Sequence, residues 1–116
     1  MTDTSGWNFA FEEPFHAEFP ELHEALSAFM SQVDSLRAPD RKTHELIRMV
    51  CTVILRNAQG TQRHAQLAAE VGAKWEEIFG SILLTIPGFG LLPAVQAIQW
   101  ARKGFDAAEQ PELEAE

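Results

Sequence analysis

Proton transfer on an organic substrate needs a titratable group held beside a carboxylate, and His64 and Glu45 are the residues that could supply such a pair. His64 falls on a helical stripe with Leu67, Ala68 and Val71, next to Arg63 and one turn after Gly60. A glycine at that spacing leaves open space beside the ring for a ligand, although a structural histidine satisfied by its neighbours gives the same pattern. Glu45 stands three residues before Arg48, so it reads as half of a solvated intrahelical pair or, if it faces His64, as the carboxylate that orients the imidazole. Arg56 and Arg63 bracket the segment Asn57–Gly60 and could clamp a substrate carboxylate; exposed arginines at helix ends read equally well.

Thiol and metal chemistry are poorly supplied. Cys51 is the single cysteine, which excludes an internal disulfide and a C-x-x-C pair. At 100° per residue it lies about 240° around the helix from Glu45, and the reading is a buried structural cysteine. His16, His23, His44 and His64 include no H-x-x-x-H or H-E-x-x-H spacing, so no metal site is expected.

Helices must position these groups. Pro20 opens a first helix over about 20–35, in which Leu22, Leu26, Phe29, Met30 and Val33 recur at three- and four-residue steps. A second spans about 39–57, with Leu46, Val50, Val53 and Ile54 as its apolar face and Asn57–Gly60 as its stop. A third, Thr61–Val71, ends at Gly72, a natural left-handed terminator. A fourth carries Trp75, Ile78, Phe79, Ile82, Leu83 and Ile86 before Pro87-Gly88-Phe89-Gly90, and a fifth runs from near Leu91 through Ala94, Ile98, Ala101 and Phe105. The expected organisation is an N-terminal aromatic arm (1–19), a helical domain (20–108) and an acidic tail (109–116). Trp7, Phe9 and Phe11 alternate in the arm as in a strand, followed by Phe15 and Phe19; these rings close the protein's own core or dock on a neighbouring protomer.

With 116 residues, 46% hydrophobic and 22% charged, the chain fits one domain. Its net charge of −8 belongs to the ends, since residues 25–103 hold all nine bases against six acids and are net +3. A small anion therefore remains an acceptable ligand, while no basic stripe points to nucleic acid. No apolar run, Ile82–Ile86 included, approaches the length of a membrane span, and the N-terminus lacks the order of a signal peptide, so a cytoplasmic location is expected.

The spacing of Glu45, Asn57, Gly60 and His64 resembles the carboxymuconolactone decarboxylase and alkylhydroperoxidase D-like superfamily. Its redox branch carries E-x11-C-x-x-C-x-x-x-H, which this chain matches at Glu45 and His64 with Asn57 and Gly60 in the two cysteine places. The similarity extends through Asp40-Arg41-Lys42-Thr43-His44-Glu45-Leu46-Ile47, His64 to Gly72, and Glu76-Glu77-Ile78, covering roughly residues 15–106. The decarboxylase branch keeps the histidine without C-x-x-C and usually adds Tyr-x-Gly-x-Pro; here Gly90 fits the glycine, Gly88 stands in the tyrosine place and Pro93 falls one residue late.

The resemblance implies an all-α, five-helix protomer that assembles as a homo-trimer or homo-hexamer. It also implies cofactor-free acid–base chemistry on a small anionic organic molecule, with His64 and Glu45 catalytic and Asn57 and Gly60 at the substrate, where Arg56 and Arg63 are the candidate clamps read above. A catalytically silent small-molecule-binding or assembly subunit of the same family is the alternative. Hydroperoxide reduction fits least, because both thiols are missing.

Overall fold

The computed structural model describes residues 12–115, all of whose regular structure is helical. The helices are α1 (Glu12–Glu18), α2 (Pro20–Asp34), α3 (Arg41–Ile54), α4 (Ala58–Glu70), α5 (Trp75–Leu83), α6 (Ile86–Phe89) and α7 (Leu91–Ala115). The five helices expected from periodicity correspond to α2, α3, α4, α5 and α7. The alternation at Trp7–Phe11 lies outside the described residues. No helix among the described residues is long and apolar enough to cross a membrane.

The chain divides into two compact units between Arg37 and Ala38. In the first, α1 and α2 meet at Phe19, and the rings of His16 and His23 stand edge to face at 5.0 Å. α2 buries none of its residues within this unit, leaving Leu22 and Phe29 exposed.

In the second unit, α3 and α4 form a hairpin. The turn is built by bonds from the Arg56 N–H to the Val53 carbonyl and from the Asn57 N–H to the Thr52 carbonyl, which satisfy the last carbonyls of α3. Arg56 takes the left-handed position this turn requires, with φ of 57° where glycine is usual. Asn57 does not stop α3; it caps α4, its Oδ1 accepting from the Gly60 N–H at 2.8 Å. Gly72, with φ of 106°, ends α4 as its type suggested.

The core face of α3 is Glu45, Met49 and Val53 rather than Leu46, Val50 and Ile54. On α4 the buried positions are Thr61, Ala65 and Ala68; of the stripe expected through His64, Leu67, Ala68 and Val71, Ala68 is buried, His64 and Leu67 are half-buried and Val71 is exposed. These share a core with Ala94, Ala97, Ala101 and Phe105 of α7 and with Ile78 and Ile82 of α5. Small residues let α4 and α7 approach closely: a Cβ built on Gly104 would stand 2.1 Å from the Gln62 carbonyl oxygen. Lys42 Nζ donates to Glu77 Oε2 at 2.8 Å, tying α3 to α5. α7 runs on to Ala115, so the acidic segment read as a tail is helical through residue 115.

The Asn57 cap gives a measurable expectation. Asn57→Ala should cost about 1 kcal/mol, a fall in Tm of roughly 4–8 °C for a unit of this size, with turnover per folded molecule unchanged. Thermal melting and a specific-activity assay check it, and a large loss of substrate affinity at constant Tm would instead return Asn57 to the substrate.

Candidate functional site

A hydroxyl pair and a glycine contact set α4 on α3 one turn ahead of His64. Thr52 Oγ1 donates to the Met49 carbonyl at 2.6 Å and lies 3.0 Å from Thr61 Oγ1. A hydroxyl carries one proton, so Thr61 is the donor of the second bond. Gly60 packs on the same threonine: a Cβ there would stand 2.7 Å from Thr52 Cγ2. The expected open space beside Gly60 is therefore absent, and the glycine serves close approach of the helices.

This docking brings Glu45 and His64 together. His64 Nδ1 lies 3.0 Å from Glu45 Oε1, with the side chains 12% and 2% exposed respectively. Of the two readings open to Glu45, the structure shows the one that faces His64, and the carboxylate is no solvated surface group. The second carboxylate oxygen is 3.7 Å from Arg41 Nη2, and Arg41 Nη1 donates to His44 Nδ1 at 3.3 Å. Burial pushes the Glu45 carboxyl up, but the hydrogen bond and charge of His64, then the guanidinium groups of Arg48 and Arg41, outweigh it and hold the carboxyl below its ordinary value. Glu45 is thus an anion that accepts the Nδ1–H of His64, which leaves Nε2 as the ring nitrogen outside the pair.

The other anticipated residues are placed differently. Asn57 and Gly60 act in capping and packing, Arg56 is an exposed turn residue, and Arg63 is half-buried on α4. Arg41 is the guanidinium that joins the pair, and sequence reasoning passed it over although its i,i+4 spacing to Glu45 was a legible signal. Cys51, expected to be buried, is exposed. It lines an open groove of about 370 Å³ on the other flank of α3, where Leu46, Ile47, Val50 and Ile54 face Leu84 and Phe89. Neither Glu45 nor His64 lines that groove. Among the described residues no cluster of His, Cys, Asp and Glu is arranged to hold a metal ion.

No family model, no curated protein and no solved structure matches the chain. The geometry of the Glu45–His64 pair is therefore what carries the functional reading.

That geometry has a consequence for acid stability. A carboxyl lowered on folding contributes stability that is fully present above its ordinary value of 4.5 and lost as pH falls through the lower folded value. Thermal melts from pH 6 downward should show Tm falling below about pH 4.5, and Glu45→Gln should flatten this limb. A residual slope remains from Asp40, lowered by the Thr43 hydroxyl, and Glu77, lowered by the Lys42 ammonium. An acid limb identical in Glu45→Gln would show that the buried carboxylate contributes nothing.

Proposed function

We propose that this chain is a carboxymuconolactone decarboxylase-like protein that performs cofactor-free acid–base chemistry on a small anionic organic molecule, His64 moving the proton and Glu45 orienting and charging it. One observation carries the reading: a carboxylate 2% exposed sits 3.0 Å from the Nδ1 of a histidine 12% exposed, on facing helices. A carboxylate on Nδ1 fixes the tautomer and orientation of the ring, so that Nε2 is the nitrogen presented to a substrate proton and a negative charge lies beside the ring during the transfer. Decarboxylation, lactone opening and isomerisation suit such a group, because each turns on one proton placed on or taken from an atom next to a carbonyl.

Arg41, 43% exposed and in contact with Glu45, is the guanidinium we assign to the substrate's carboxylate in place of Arg56 and Arg63. Asn57 and Gly60 contribute by placing α4. The family resemblance extends the proposal to a five-helix protomer working as a homo-trimer or homo-hexamer.

A second reading has its own support. The groove on α3 is separate from the Glu45–His64 pair, which favours a catalytically silent small-molecule-binding or assembly subunit. A screen of small lactones and of β-keto and unsaturated carboxylic acids separates the two, with wild type and His64→Gln assayed side by side. Turnover present in the wild type and lost in the variant supports the acid–base reading. Turnover undiminished in His64→Gln removes that mechanism, and no turnover across the set, with a lowered Tm in the variant, is the result expected of a silent subunit.

A further inference from the structure

The second unit has its large and small apolar residues the wrong way round for a free-standing protein. Among the described residues, six of the eleven buried apolar side chains are alanines, at positions 65, 68, 73, 94, 97 and 101. Meanwhile Ile47, Leu84, Phe89, Leu91, Leu92 and Val95 are 45% to 80% exposed. Ile47, Leu84 and Phe89 line the groove between α3, α5 and α6, and the chain passes from Phe89 through Gly90 directly into Leu91. An exposed apolar surface of this kind marks an interaction site.

We infer that this surface is the interface between copies of this chain. The inference rests on the homo-oligomeric part of the proposed function and is independent of its acid–base part. Three observations select a second copy as the occupant. Full burial of one such side chain removes on the order of 100 Å² of apolar surface, so the six supply several hundred Å², the main part of the roughly 800 Å² per partner in a stable pair. None of the groove's lining residues is charged, and the hydroxyls of Ser81 and Thr85 are already spent on the Glu77 and Ile82 carbonyls. The Thr43 hydroxyl likewise goes to Asp40, so the surface offers a polar partner neither charge nor an unspent hydroxyl, whereas the apolar face of a second copy complements it. Finally, with an alanine-rich core inside, the large side chains outside it add to the buried apolar area when protomers meet.

Sedimentation velocity on the full chain at micromolar concentration tests this. The wild type should sediment well above 13.0 kDa, and Leu84→Glu, which puts like charges at the contact and touches no core position, should sediment at 13.0 kDa with unchanged helical circular dichroism. Cys51 is a built-in reporter, since a second copy seated on the groove covers its thiol. Its labelling by a maleimide should be about tenfold or more slower in the assembled wild type than after dilution to protomers. This dilution series decides the matter even if Leu84→Glu fails to fold. A wild type of 13.0 kDa with concentration-independent Cys51 labelling overturns both the interface and the homo-oligomer. A wild-type oligomer that persists in Leu84→Glu with Cys51 freely labelled overturns this surface alone, and the acid–base reading stands or falls separately on His64→Gln.

Discussion

His64→Gln is expected to fold and assemble as the wild type and to lose turnover by roughly two to four orders of magnitude, the size of a single proton-transfer contribution. Glutamine keeps much of the volume of the imidazole, and its amide can still donate to Glu45 Oε1, the atom 3.0 Å from His64 Nδ1. The buried carboxylate therefore keeps a partner, and the large destabilisation that follows from stranding a buried charge is avoided. What is removed is the imidazole, the side-chain type suited to proton transfer at neutral pH. The measurement is kcat alongside Tm on the same preparation. Loss of kcat at constant Tm supports the acid–base role, and loss of Tm with activity falling only in proportion assigns His64 to structure. Glu45→Gln completes the pair: it leaves a neutral acceptor on Nδ1 and should lower kcat while sparing KM, because it weakens charge stabilisation in the transition state.

Gly104→Ala is expected to destabilise the protein by about 3 kcal/mol, with a fall in Tm of more than about 10 °C. The added methyl would meet the Gln62 carbonyl oxygen at 2.1 Å and the Gln66 backbone nitrogen at 3.1 Å. Both are helical backbone atoms of α4, so no side chain can swing aside, and the only relief is to push α4 and α7 apart along their alanine seam. Gly80→Ala is the matched control. Nothing lies within 4 Å of its added Cβ, and it occupies the interior of α5, so the same substitution should stabilise by about 0.5–1 kcal/mol. A Gly104→Ala protein melting within a degree or two of the wild type would show that the two helices are not held at this separation.

Helix existence was legible from the spacing of apolar residues, and helix ends were legible where a residue type has one use, as at Pro20 and Gly72. Orientation was harder to read. α3 is apolar on two faces, and the spacing of Leu46, Val50 and Ile54 outweighs that of Glu45, Met49 and Val53 because the latter includes a charge. The face with the charge is nonetheless the one turned inward, since His64 and the neighbouring arginines stabilise the buried carboxylate. The same ambiguity hid the site. Glu45 and His64 were identifiable as chemical types, but whether they meet depends on the rotation of two helices about their axes, and that is settled by Thr52, Gly60 and Thr61, which look unremarkable in a sequence. Asn57 suits a helix stop and a helix cap equally well, and only the bond to the Gly60 N–H decides between them.

The hairpin of α3 and α4 also bears on the order in which the molecule assembles. Thr52 and Thr61 are nine residues apart, and Glu45 and His64 nineteen, whereas the approach of Gln62 to Gly104 spans about half of the unit. Each doubling of a closed loop adds about 0.6 kcal/mol of chain entropy, and local contacts form faster than distant ones. The hairpin is therefore the natural nucleus. Its early closure would set imidazole and carboxylate opposite each other ahead of the docking of α7, so the alanine seam is expected to lock an arrangement chosen by near neighbours along the chain.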